Sequence, residues 1–303
     1  MMVTAVEKIS ELPDVKGNYK FGELLKNYTW LNVGGPADVM FFPENIADLQ
    51  NFLRNKPADM DVFVLGGGSN LLVRDGGIKG AVIKLSAKEF CQIKIYDDKV
   101  ECGAGLLNNM FRKTVAEKGL GGLEFLCSIP GSLGGALRSN AGCFGKEISD
   151  VLLSAKVIDG KGNIYEVSKD DFNFAYRHSD FPEDWIVWEV ALKYDKKDSQ
   201  EVSDLIAEHA EYRRAHQPQG IRTAGSTFKN PPQMRAWELI KNSGADKFQF
   251  GGARMSPQHC NFLQNDGTAS AADVEKLCDE VVKAVKNSSG VGLELEVKKV
   301  GRR

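Results

Sequence analysis

The sequence predicts an α+β chain of two domains, and three observations predict it. Its 303 residues fill two domains at roughly 150 residues each. Short apolar runs of strand length alternate with helix-length amphipathic segments, and several of the strands pair as hairpins instead of following a βαβ rhythm. After a long strand and a charged helix the pattern restarts as a smaller α/β unit, which divides the chain into residues 1–205 and 206–303.

The elements follow in order. Residues 1–30 read as an irregular or helical lead-in. A strand at Ala37–Phe42 runs into Pro43-Glu44, then a helix over Ile46–Arg54 with Ile46, Leu49 and Leu53 at helical spacing. Asp61–Leu65 is a compact apolar strand entering Gly66-Gly67-Gly68, and Ala81–Leu85 is another. Gln92–Tyr96 and Lys99–Cys102 alternate around Asp97-Asp98, as a hairpin does. Leu106–Lys118 is a helix. Leu126 to Gly145, with Pro130 and many small residues, reads as a buried loop holding a short helix. Leu152–Ile158 and Ile164–Val167 flank Asp159-Gly160-Lys161-Gly162 as a second hairpin, and Trp185–Tyr194 is a longer strand. Val202–Ala215 is a helix with a charged face, joined by a polar link from His216 to Ala224 to the smaller unit. That unit carries a helix at Met234–Asn242, strands near Ala253–Met255 and Asn261–Leu263, a helix at Ala271–Lys286 capped by Thr268 or Ser270, and a strand at Leu293–Val300.

Composition excludes several functions. Hydrophobic residues make up 42% and charged residues 26%, as in an ordered globular chain. A net charge of −2 provides no field to recruit nucleic acid or an anionic membrane. No apolar run is long enough to span a bilayer, and Glu7, Lys8 and Glu11 stand where an export signal needs apolar residues. The expectation is a cytoplasmic protein. Cys91, Cys102, Cys127, Cys143, Cys260 and Cys278 form no CxxC, so reduced thiols packed as small hydrophobes are expected. His178, His209, His216 and His259 show no ligand spacing, and no metal is expected.

Glycine is the informative excess: 31 residues, about a tenth of the chain, against a usual ~7%. The residues cluster in loops of the first domain, where bare backbone approaches a ligand closely and its amides can line a phosphate-bearing group. A dinucleotide fingerprint begins at Gly103-Ala104-Gly105 but has Asn108 in place of its third glycine and lies in a hairpin context, so a Rossmann domain is disfavoured. Gly145-Lys146-Glu147 is not a P-loop, and no GxSxG occurs. Two motifs remain. Gly66-Gly67-Gly68-Ser69-Asn70-Leu71 ends a buried strand in amides that could form a nest for a diphosphate, with Ser69 and Asn70 as added donors. Ile129-Pro130-Gly131-Ser132-Leu133-Gly134-Gly135-Ala136 lets main chain lie against a flat ring, with Ser132 in reach of a second phosphate.

Together with Asn32-Val33-Gly34-Gly35-Pro36-Ala37, Tyr176-Arg177-His178-Ser179, Ala224-Gly225-Ser226-Thr227-Phe228-Lys229-Asn230-Pro231, Gly251-Gly252-Ala253 and Leu293-Glu294-Leu295-Glu296-Val297, these motifs resemble the UDP-N-acetylenolpyruvoylglucosamine reductase family, in the family's order from about residue 28 to the C-terminus. Tyr176-Arg177-His178-Ser179 runs directly into Asp180-Phe181-Pro182, as in the shorter family type without an inserted tyrosine-bearing loop. Cys127-Ser128 stands where Ser-Gly or Ala-Gly is commoner, and Ser139 where a larger apolar residue is common. Both bear on packing around the flavin ring.

The resemblance implies a FAD-binding domain of the vanillyl-alcohol oxidase/p-cresol methylhydroxylase type over 1–205, with two α/β subdomains, and a substrate-binding domain over 206–303. It implies FAD held non-covalently by the two glycine loops, NADPH as co-substrate, UDP-N-acetylglucosamine enolpyruvate as substrate, and a monomer. Arg177 then grips the substrate carboxylate, Ser226 protonates the carbon left negative by hydride addition, and Glu296 bonds the same carboxylate if protonated or orients Arg177 if ionised. Lys229 and Asn230 address the diphosphate or carboxylate of the substrate, with Arg222, Gln219 and His259 as weaker candidates. Competing readings are a sugar or hydroxy-acid oxidase of the same superfamily, which needs the glycine loops but not Ser226, Lys229 and Glu296, and a non-catalytic flavin or sugar-nucleotide binder.

Overall fold

A computed structural model describes residues 11–303. Thirteen strands of three or more residues occur among them. They are β1 (Asn18–Leu24), β2 (Pro36–Phe42), β3 (Val62–Val64), β4 (Leu71–Val73), β5 (Ile78–Ile83), β6 (Ile93–Ile95), β7 (Lys99–Gly103), β8 (Leu152–Ile158), β9 (Ile164–Ser168), β10 (Ile186–Lys193), β11 (Ala253–Met255), β12 (Leu263–Asn265) and β13 (Lys298–Val300). The longer helices are α1 (Ile46–Asn55), α2 (Asn108–Lys118), α3 (Leu133–Arg138), α4 (Ser199–His216), α5 (Ala236–Asn242) and α6 (Ala271–Ser289).

The chain forms two compact units. The first comprises the described residues up to Phe21, Asp38–Gly67 and Gly80–Glu211; the second comprises Gly22–Ala37, Gly68–Lys79 and Tyr212–Arg303. The linear division at 205/206 thus differs from the division by compactness in two N-terminal excursions. Their cause is packing: Leu31, Val33 and Leu72 belong to the hydrophobic core of the second unit, and β4 pairs in parallel with β13 through Leu71↔Lys298 and Val73↔Val300.

The first unit has two cores, as two subdomains require. One gathers Phe41, Leu49, Phe52 and Phe90 around α1, β3 and β5; β3 and β5 run parallel, Val62 opposite Ala81, in a four-stranded sheet of order β1-β2-β5-β3. Asn45 caps α1 by accepting from the Asp48 amide. The other core lies on a five-stranded antiparallel sheet of order β9-β8-β10-β7-β6. Both expected hairpins are present in it, with Ile95↔Val100 and Ile158↔Ile164 closing them. The second is set by Asp159, whose carboxylate accepts from the amides of Lys161 and Asn163, the Asn163 side chain and the Tyr165 hydroxyl. Glu189, 3% exposed at the centre of β10, is matched by Lys156 directly opposite on β8, at 2.6 Å.

In the second unit α6 starts in a capping box, Ser270 accepting from the Asp273 amide and Asp273 from that of Ser270, and ends at Gly290 with φ +74°. Ser270, not Thr268, is the cap. Two expectations need correction. Asn18–Leu24 is a strand where a lead-in was expected, and residues 1–10 of that lead-in lie outside the described residues. The expected strand Leu293–Val300 pairs as a ladder only over Lys298–Val300, because the Glu296 amide turns to the Thr227 carbonyl instead. The loop Leu126–Gly145 does contain its short helix, α3.

Candidate active site

In the first unit, β3 ends at Leu65, whose amide donates to Ile83 O at 2.9 Å, and the chain enters Gly66-Gly67. This loop lies directly against the second one. A Cβ on Gly66 would sit 2.8 Å from Ser132 Oγ, and one on Gly67 2.5 Å from Gly131 Cα. Only glycine permits that approach. Asn108, in the place of the absent third fingerprint glycine, holds the second loop: its amide donates to Gly131 O at 3.0 Å and its Nδ2 to Ile129 O at 3.1 Å. Ser132 caps α3, its Oγ accepting from the Gly135 amide, while the Gly134 amide donates to Ala104 O.

Four main-chain donors remain. Among the described residues, the amides of Gly66, Gly67, Gly131 and Ser132 donate to no protein acceptor. Partly buried amides are rarely left so, and an array of them on two touching loops suits an anionic ligand. Lys84 adds a cation, its Nζ donating to the Gly66 carbonyl. Burial holds its pKa below the ordinary lysine value. The residues present therefore fit the diphosphate of FAD. Sequence reasoning passed over Lys84 and Asn108; the signal for Lys84 was a lone cation closing the apolar run Ala81-Val82-Ile83.

Arg177 also lies in the first unit, at the tip of a hairpin in which Phe174 pairs Ser179 and Ala175 pairs His178. It takes φ +56°, a left-handed conformation that a side chain adopts at a cost of about 1 kcal/mol or more. Its Nη2 donates to Gly142 O at 2.9 Å, and its guanidinium lies over the Tyr176 ring. Asn173 takes both carboxylate oxygens of Asp180.

The rest of the first glycine motif serves the second unit. Gly68, at φ +66°, accepts from the Trp30 amide, and a Cβ there would meet Tyr28 O at 2.0 Å. The Asn70 carbonyl accepts from the Lys298 amide and its Nδ2 donates to Glu296 O at 3.1 Å, while Leu71 opens β4. Ser69 lies between them, half-buried.

Ser226 and Glu296 meet around one residue of this unit. Ser226 forms a bridge to Phe262 after Gly225 at φ +78°. Thr227 donates to Asn261 O, accepts from the Leu263 amide through Oγ1, and accepts from the Glu296 amide through its carbonyl at 2.9 Å. Both flanking side chains are half-buried, and the Ser226 hydroxyl bonds to no protein group among the described residues. Glu294 is different: 74% exposed, it pairs with Lys229 at 2.6 Å. Asn230 caps α5 by accepting from the Ala236 amide. The Arg222 carbonyl accepts from the Asn265 amide and its guanidinium lies against Gly267. His259 Nδ1 accepts from the Asn261 amide, and burial pushes its pKa down. The structure thus brings Gly66 and Gly67 together with Gly131 and Ser132, and Ser226 together with Glu296, while giving Lys229 and Asn230 protein partners.

Comparison with known proteins shows the family. A FAD binding domain model matches residues 37–168, and the model of the UDP-N-acetylenolpyruvoylglucosamine reductase C-terminal domain matches residues 217–300. The UDP-N-acetylenolpyruvoylglucosamine reductase of Maricaulis maris (strain MCS10) is 42% identical over 301 residues, covering 97% of this chain and 95% of its own. That of Paramagnetospirillum magneticum (strain ATCC 700264 / AMB-1) is 43% identical over 292 residues, covering 96% and 95%. The crystal structure of the Thermus caldophilus reductase, 35% identical, superposes with a TM-score of 0.81 over 94% of this chain and 99% of that one. The fold is α+β, a FAD-binding domain of the vanillyl-alcohol oxidase/p-cresol methylhydroxylase type with a C-terminal domain. The chain belongs to the UDP-N-acetylenolpyruvoylglucosamine reductase family.

Proposed function

We propose that this chain reduces UDP-N-acetylglucosamine enolpyruvate to UDP-N-acetylmuramate with electrons from NADPH, supplying peptidoglycan precursors. The observation that carries the reading is the set of four unpaired amides at Gly66, Gly67, Gly131 and Ser132 in a chain of this family. FAD held there would supply the hydride chemistry that links NADPH to the terminal carbon of the enolpyruvyl double bond.

The protein's own work follows from the charges involved. The amides hold the cofactor's diphosphate without a covalent link, helped by Ser69 and Asn70; Ile129, Pro130, Gly134, Gly135 and Ala136 supply small, bare surface for the ring. Hydride addition builds negative charge on the carbon beside the substrate carboxylate. Arg177 offers that carboxylate a fixed fork of donors, and Glu296 bonds it as a donor when protonated. Ser226 Oγ transfers its proton to the charged carbon and recovers one from solvent. A hydroxyl suffices because the carbanion is far more basic than water. That no protein group among the described residues competes for the Ser226 hydroxyl supports this role. Lys229, Asn230, Arg222 and His259 are assigned to the sugar nucleotide, Lys229 exchanging Glu294 for a phosphate.

We place the reaction in the cytoplasm, with the chain acting as a monomer over a flavin domain and a substrate domain. No helix among the described residues is long and apolar enough to cross a membrane. An anaerobic titration tests the function. NADPH should bleach the flavin absorbance, and the enolpyruvyl sugar nucleotide should restore it. Bleaching by a sugar or simple hydroxy acid, with recovery on oxygen and none with the enolpyruvyl sugar nucleotide, would identify an oxidase instead.

A further inference from the structure

Lys84 follows β5 at the point where Ile83 stands opposite Val64, so its side chain starts beside the first glycine loop. Three features set it apart from a surface lysine. It is buried enough for its charged form to be disfavoured. It pairs with no carboxylate among the described residues. And of three N–H donors it places only one, on the Gly66 carbonyl. A long cationic side chain with nothing to gain would extend its head into water.

We propose that Lys84 is a cofactor-positioning residue, fixing the Gly66–Gly67 peptide so that the Gly67 amide faces the diphosphate. The geometry of the peptide carries the proposal. In a trans peptide the carbonyl and the following amide point in opposite directions. With the Gly66 oxygen anchored on Lys84, the Gly67 N–H must point away from Lys84, and it finds no protein acceptor there. Glycine would otherwise let this peptide rotate freely.

The inference rests on the flavin reading and goes beyond it by naming a residue that holds a phosphate-facing amide in place. Its test uses the full chain, stripped of flavin and titrated by fluorescence with FAD and with riboflavin, which lacks phosphates. Lys84→Met should weaken FAD binding by about tenfold or more while changing riboflavin binding by less than about twofold, and Lys84→Arg should stay within about threefold of the parent for FAD. Unchanged FAD affinity in Lys84→Met, or equal loss for FAD and riboflavin, overturns the proposal. If Lys84→Met fails to fold, Lys84→Gln takes the same two titrations under the same criteria. Failure of the parent chain to bind FAD would reject the flavin reading itself, a distinct outcome.

Discussion

At the glycine loops of the first unit the groups without a protein partner among the described residues are main-chain amides, at Gly66, Gly67, Gly131 and Ser132. At the Ser226 loop of the second unit the group without one is a side-chain hydroxyl, that of Ser226, while its neighbours Thr227, Lys229 and Asn230 are bonded to other parts of the protein. The contrast separates two ways of building a site. An anion held by amides is indifferent to side chains and intolerant of any Cβ at the contact. A proton donor is one atom, and the surrounding side chains earn their place by holding its backbone still.

The largest effect that breaks this contrast is predicted for Gly67→Ala. Its Cβ would sit 2.5 Å from Gly131 Cα and 2.8 Å from Gly131 C, so the two loops must part. FAD affinity should fall by about a hundredfold or more, read by flavin fluorescence, since the loss of several charge-assisted bonds exceeds 2.7 kcal/mol. Affinity within about twofold of the parent would show that the cofactor does not use this contact.

On the other side of the contrast, Lys229→Met should raise the KM for the sugar nucleotide by about tenfold with flavin binding unchanged. An unchanged KM would reduce Lys229 to its pair with Glu294, and because Glu294 is exposed that pair contributes at most about 1 kcal/mol to stability. Asn230→Ala separates capping from binding. Uncapping α5 should cost about 1 kcal/mol in denaturant unfolding, and a KM shift much beyond threefold would add contact with the substrate to its structural role.

The smallest effect concerns acid. Burial favours the neutral His259 ring, which accepts from the Asn261 amide in that form. As pH falls below about 6.5 the unfolded chain takes up the proton first, so this contribution to stability is complete at neutral pH and lost as pH falls toward the folded-state pKa. His259→Gln should flatten the acid limb of the melting curve by about 2 °C between pH 7 and 5. Parallel limbs would assign the acid sensitivity to other groups.

Much of this was legible in the sequence, for reasons that differ by region. The Asp159 hairpin and the Ser270 cap are local: the groups that bond lie within a few residues of one another. The glycine loops were legible as a pair because each lacks side chains at the same time. What stayed hidden is nonlocal. Asn18–Leu24 is largely exposed, so its alternation carries little hydrophobic contrast. The triple glycine reads as one motif, yet Gly67 packs against Gly131 in one unit and Gly68 against Tyr28 in the other. In a strand over Leu293–Val300 the residues Glu294 and Glu296, two apart, share a face, but the tail pairs as a strand only from Lys298; Glu294 reaches Lys229 in the open, and Glu296 is half-buried beside Thr227. No spacing rule distinguishes them.

The most direct test of the central claim splits the reaction in Ser226→Ala under anaerobic conditions. In the proposed role Ser226 acts only after hydride has left the flavin, so NADPH should bleach the flavin at the parent rate within about twofold, while recovery on adding the enolpyruvyl sugar nucleotide should slow by about a thousandfold. Equal slowing of both halves, or recovery at the parent rate, would contradict the assignment of the proton to this hydroxyl.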